Sequence, residues 1–76
     1  MGTLQNVKVK DFKRFLESLG LSYISTTGGH EKWAKEGMLR PVIFQTHIDP
    51  IPETIIRNNL RTIGSSRKDL EKFLKK

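Results

Sequence analysis

Leu21-Ser-Tyr-Ile-Ser-Thr-Thr-Gly-Gly-His-Glu-Lys-Trp-Ala34 is the stretch that decides the fold. Most of its first seven residues are β-branched or aromatic, side chains that lose rotamer freedom in a helix and pack well on a pleated surface. They run into Gly28-Gly29, a pair that supplies the positive φ angles of a tight hairpin turn. His30–Ala34 then reads as a short returning strand, turned at Glu36-Gly37, and Pro41-Val-Ile-Phe-Gln-Thr46 as a stronger third one. Together they predict a three-stranded antiparallel meander.

Helical patterns lie on both sides of it. Upstream, Phe12, Phe15, Leu16 and Leu19 recur at i, i+3, i+4 and i+7, which stacks them on one face of a helix over residues 8–19. Lys10, Lys13, Arg14 and Glu17 fall off that stripe onto the exposed side, and Gly20 supplies the left-handed stop. Downstream, His47–Ile51 is a connection. Pro52 with Glu53 suits the first turn of a second helix, where a missing N–H costs nothing and a carboxylate meets the positive end of the dipole. Ile56, Leu60 and Ile63 continue the apolar face as far as Gly64. Ser66 followed by Asp69 is a capping pair for a last short helix, with Leu70, Phe73 and Leu74 facing inward. The fold class is α+β, in the order α-β-β-β-α-α, with three antiparallel strands covered by helices on one face.

Seventy-six residues allow a single domain, read as 7–76 behind a disordered lead-in at 1–6. A chain this short buries only about 60% of the surface its unfolded form exposes, so the core is small. With no cysteine, neither disulfides nor thiolate metal sites are available, and an intracellular, cytoplasmic setting fits best. The apolar runs fall far short of the roughly 20 residues a membrane span requires, so no membrane partner is expected. Fourteen basic against eight acidic residues give +6, and the surplus sits at the two ends. Residues 1–20 have four basic and two acidic side chains, residues 21–56 three and four, and residues 57–76 seven and two. Such a balance favours polyanionic partners, nucleic acid or an acidic protein, unless it is only a solvated surface.

A helix feeding a three-stranded meander and then a helix is how double-stranded-RNA-binding domains are wired. Gly28-Gly29-His30 opening the second strand, Phe44-Gln45-Thr46-His47 closing the third, and Ile51-Pro-Glu-Thr-Ile-Ile-Arg57 with Leu60-Arg61 on the next helix resemble the HicA-type mRNA interferase toxins. Val9-Lys10-Asp11, Phe15-Leu16-Glu17 and Leu19-Gly20 are similar to that family's opening helix, and the resemblance covers residues 7 to about 64. Gly29 stands where the family has a serine, Gln45 where it has a proline, and Lys32 where it usually has an apolar residue. The resemblance implies a toxin of a type II toxin–antitoxin system. Its activity would be metal-independent endoribonuclease cleavage of mRNA with His30 as its single catalytic histidine, and its inhibitor a HicB-like antitoxin protein. No cofactor is implied.

The chemistry of His30 can be argued from the residue itself. Cleavage of an RNA phosphodiester by its own 2′-OH needs a group that takes a proton and returns one near neutral pH, and histidine is the side chain suited to that. Gly28 and Gly29 let backbone approach a phosphate closely. Lys10, Lys13, Arg14, Lys32, Arg57 and Arg61 are the candidate RNA-binding cations, Arg57 and Arg61 sharing a helix face at i, i+4. His47 is expected to fix its turn by hydrogen bonding. No metal site is expected, since only Asp49, Glu31 and Glu36 lie nearby in sequence and a metal needs three or four ligands. Trp33 and Tyr23 could stack on bases, with packing the commoner use. A non-catalytic RNA-binding module of the same fold, with His30 as a turn residue, and a basic protein-interaction domain stay open beside the nuclease.

Overall fold

The computed structural model describes residues 6–75, so residues 1–5 of the expected lead-in, and Lys76, lie outside the described residues. Helix α1 covers Val9–Ser18, strands β1, β2 and β3 cover Ser22–Thr27, His30–Ala34 and Val42–Gln45, and helices α2 and α3 cover Glu53–Ile63 and Arg67–Leu74. The strands form one antiparallel sheet in the order β1-β2-β3. The element order and the meander are as the sequence predicts, with ends trimmed. Leu21, Pro41 and Thr46 fall outside the strands, and Pro52 precedes α2 as its cap instead of opening its first turn.

Alternation along the central strand divides the sheet into two unlike faces. Glu31 and Trp33 of β2 and Val42 and Phe44 of β3 point inward and are buried. Against them lies α1, whose Phe12 meets Phe44 edge to face with ring centroids 5.2 Å apart. The stripe reaches back a turn further than predicted, to buried Val9, and Leu19 is only half-buried. Phe73 of α3 packs edge to face on Phe15 at 5.6 Å, and fully buried Leu70 completes the closure. On the other face Ser22, Ser25, His30, Lys32, Ile43 and Gln45 are exposed or half-buried. Among the described residues no helix covers that face.

Two buried polar side chains sit where apolar ones would be expected. The carboxylate of Glu31 accepts from the Trp33 indole N–H at 2.8 Å and pairs with Lys13 at 3.3 Å. Lys13 is therefore half-buried at the α1–sheet junction, not on the exposed side of the helix as the pattern predicts. Asn59 of α2 donates to the Ile43 carbonyl at 3.0 Å and accepts from the Ile43 N–H at 3.4 Å, which satisfies the outer edge of β3 and docks α2 along it.

The start of α3 forms as predicted. The Ser66 hydroxyl accepts from the Asp69 N–H at 3.2 Å, and the Asp69 carboxylate accepts from the Ser66 N–H at 3.1 Å and the Ser65 hydroxyl at 3.0 Å. The backbone N–H of Ser66, then the hydroxyls of Ser65 and Ser66, hold the Asp69 carboxyl below the usual carboxylate range. A folded-state pKa below the unfolded one contributes stability that is fully present above the unfolded value and lost as pH falls through the folded value. Amide protection in α3 should accordingly decline below about pH 4 and do so less in Asp69→Asn, while Ser66→Ala should cost about 1 kcal/mol in a urea titration at neutral pH.

Candidate functional site

Thr27-Gly28-Gly29-His30 is a two-residue hairpin turn in which both glycines hold positive φ, +57° and +83°. Such a turn matches the right-handed twist of the strands on either side and demands residues that tolerate the left-handed region. His30 follows at once as the first residue of β2, exposed on the uncovered face. Its cross-strand partner is Gln45, the last residue of β3, and the Gln45 side-chain nitrogen lies 2.9 Å from His30 Nε2. An amide nitrogen can only donate, so in this pair Nε2 accepts and the proton of the neutral ring is assigned to Nδ1.

His47 comes to the same turn from the other side. A Cβ added to Gly29 would lie 3.2 Å from His47 Nδ1 and 3.3 Å from Cε1, so the imidazole lies over the glycine. This corrects the expectation that His47 fixes its turn by hydrogen bonding. The connection is held instead by Asp49, whose Oδ1 accepts from the first-turn Val9 N–H of α1 at 3.1 Å, and by the Ile51 N–H donating to the Val7 carbonyl at 2.9 Å. His47 is left exposed, and among the described residues its side chain makes no hydrogen bond. A second histidine thus lies against the glycine that precedes His30.

Gly29→Ala tests this contact. The left-handed backbone costs a residue with a Cβ roughly 1–2 kcal/mol, and the new methyl would push on the His47 ring. A destabilisation of that size together with a shift of the His47 ring resonances is the expected result. A serine at this position would meet the same strain, which gives the glycine here a local reason.

Beside His30 a groove of about 200 Å³ runs off the sheet face toward the start of α2. Ile43, Ile48, Pro52 and Ile55 form its visible walls, and among the described residues His30 and Gln45 are the polar side chains that line it. Periodicity along single elements does not reveal it, because its walls come from β2, β3, the connection and α2. Among the described residues no group of three or more His, Asp or Glu lies together as a metal would require, and no helix is long and apolar enough to cross a membrane.

The predicted cations do not converge on this site. Lys32 shares the uncovered face with His30. Lys10 and Arg14 are exposed on the solvent side of α1, which lies across the opposite face, and Lys13 is engaged by Glu31. Arg57 is exposed and pairs with Glu53 at 3.1 Å. Arg61 is exposed at the far end of α2. Tyr23 and Trp33 lie edge to face on the inner side with centroids 6.2 Å apart, so packing is what Trp33 does here. Compared with models of protein families, with curated proteins and with solved structures, the chain matches none. A functional reading therefore rests on its own residues.

Proposed function

We propose that the protein is a toxin of the HicA type, a metal-independent endoribonuclease that cleaves mRNA with His30 as its acid/base. The observation that carries this reading is the position of His30. It stands on the uncovered face of the sheet, directly after a glycine turn that backbone phosphates can approach, with a second imidazole against that turn. In the reaction His30 Nε2 exchanges its Gln45 partner for the 2′-OH and takes its proton. The 2′-oxygen forms a bond to phosphorus, the bond from phosphorus to the 5′-oxygen breaks, and a proton passes to that leaving oxygen. The products are a 2′,3′-cyclic phosphate and a 5′-hydroxyl. His47, whose imidazole lies against Gly29, the residue before His30, is the group suited to supply the second proton.

Such an activity in the cytoplasm requires a partner that silences it, an antitoxin of the HicB type, and the +6 charge of the chain favours an acidic one. The direct test is incubation of the purified chain with unstructured RNA in excess EDTA. Fragments ending in 2′,3′-cyclic phosphate are expected, and intact RNA, or cleavage that EDTA stops, would refute the proposal. A non-catalytic RNA-binding module remains the second reading, favoured by the cross-strand bond between Gln45 and His30, which a purely structural histidine would also make.

A further inference from the structure

Two grooves open along the seam where α2 lies beside β3. The first is the apolar one at His30. The second lies between the last turn of α2 and the loop from β2 to β3, lined by Lys35, Glu36, Arg40, Arg61 and Thr62 among others. Ile55 borders the first and Thr62 the second. Two helical turns separate these residues, so they lie on one side of α2 about 10 Å apart. Ile43, whose backbone is held by Asn59, lies along the seam between them.

The two ends differ in chemistry. Among the described residues no lysine or arginine lines the His30 groove, whose aliphatic walls suit the flat body of a nucleobase and whose Gln45 amide, freed when His30 turns to the 2′-OH, suits its hydrogen-bonding edge. At the other end three cations face one carboxylate, that of Glu36. Lys35 donates to the Leu19 carbonyl at 2.9 Å, whereas Arg40 and Arg61 have no ion-pair partner among the described residues. Neighbouring Arg57 and Arg67 are each paired, with Glu53 and Glu71. Two unpaired guanidiniums in one groove match phosphate oxygens, which they can contact in a forked geometry.

We infer that the β3–α2 seam is a track for one strand of RNA, with an unstacked base in the apolar end beside His30 and backbone phosphate at Arg40 and Arg61. The inference rests on the ribonuclease reading for the identity of the polyanion, and the base slot is what selects a single strand. A base inside a duplex must be unpaired and unstacked before it can enter a side-chain pocket, at a cost of a few kcal/mol. A strand on the order of four nucleotides reaches both ends, the lower limit of site sizes in folds that bind single strands.

Binding of nuclease-resistant 2′-fluoro oligoribonucleotides of two, four and eight residues tests the track without needing cleavage. Affinity should rise at least tenfold from two to four residues and little thereafter, and the same eight-residue sequence as a duplex should bind at least tenfold more weakly. Arg40→Glu with Arg61→Glu should remove the gain with length and leave the dinucleotide's affinity unchanged. Lys68→Glu with Lys75→Glu changes net charge equally at exposed positions away from the seam and should preserve the gain. Equal affinity at all lengths, equal losses from the two charge reversals, tighter binding of duplex, or no binding of any oligonucleotide would overturn the track. Length-dependent single-strand binding by a chain that cuts no RNA would keep the track and remove the nuclease. Cleavage that both arginine reversals leave untouched, with unchanged affinity for the octamer, would do the opposite.

Discussion

His30→Ala should lower cleavage of unstructured RNA by the purified chain at least about a hundredfold, because proton transfer by one positioned side chain contributes roughly 10²–10⁴ in rate. The fold should survive. His30 is exposed and its hydrogen bond is to the half-buried Gln45, so the substitution belongs with surface changes that stay within about 0.5 kcal/mol. Melting of the variant beside the parent separates loss of chemistry from loss of structure. In cells the same substitution should abolish growth arrest on induction. Gln45→Ala should cost far less than His30→Ala, since it removes an orienting partner and not the proton carrier. His47→Ala distinguishes a single-histidine mechanism from a pair. If His47 supplies the second proton, its removal should be as damaging as that of His30, and the double variant little worse than either, as for residues that act as a unit. Full activity in His30→Ala would end the assignment of chemistry to this site.

The meander was readable because its turns are written in glycine and its strands in β-branched and aromatic residues. The capping box of α3 was readable because it is local, three residues from donor to acceptor. Features that depend on register were not. Seating Gln45 on His30 requires knowing that β3 ends opposite the start of β2, and seating His47 on Gly29 requires knowing where the chain goes after that. Asn59 did carry a signal, an amide within the apolar face set by Ile56, Leu60 and Ile63. A polar side chain on such a face must find a partner when buried, and its partner is the edge of β3. Glu31 alternates with Lys32 and Trp33 in a strand too short for charge to reveal which face is inside. Its burial explains its pairing with Lys13, one of the cations expected to meet RNA. Arg40 is one basic residue in a loop by sequence, and its meaning comes only from the groove it shares with Arg61.

Phe12→Ala should leave the chain close to unfolding. Phe12 is fully buried, with Phe15 at 6.3 Å and Phe44 at 5.2 Å between ring centroids, so its ring fills the space between helix and sheet. Truncating a buried phenylalanine costs about 3–5 kcal/mol, through lost transfer energy and the cavity that regular elements cannot close. Domains have on the order of 0.05–0.15 kcal/mol of stability per residue, which for 76 residues is roughly 4–11 kcal/mol. No disulfide restrains the unfolded chain against that loss. With a urea dependence of about 1 kcal/mol per molar for so small a domain, the midpoint should fall by about 3–5 M or the transition disappear into water. Phe12→Leu keeps most of the volume and should cost about 1 kcal/mol, while Leu39→Ala on the exposed loop should change little. A midpoint for Phe12→Ala within 1 M of the parent would mean that α1 is not packed on the sheet through this stripe. Because α1 and His30 lie on opposite faces of β2, Phe12→Leu should also retain the parent's cleavage rate at temperatures where it is folded, which separates the core from the chemistry.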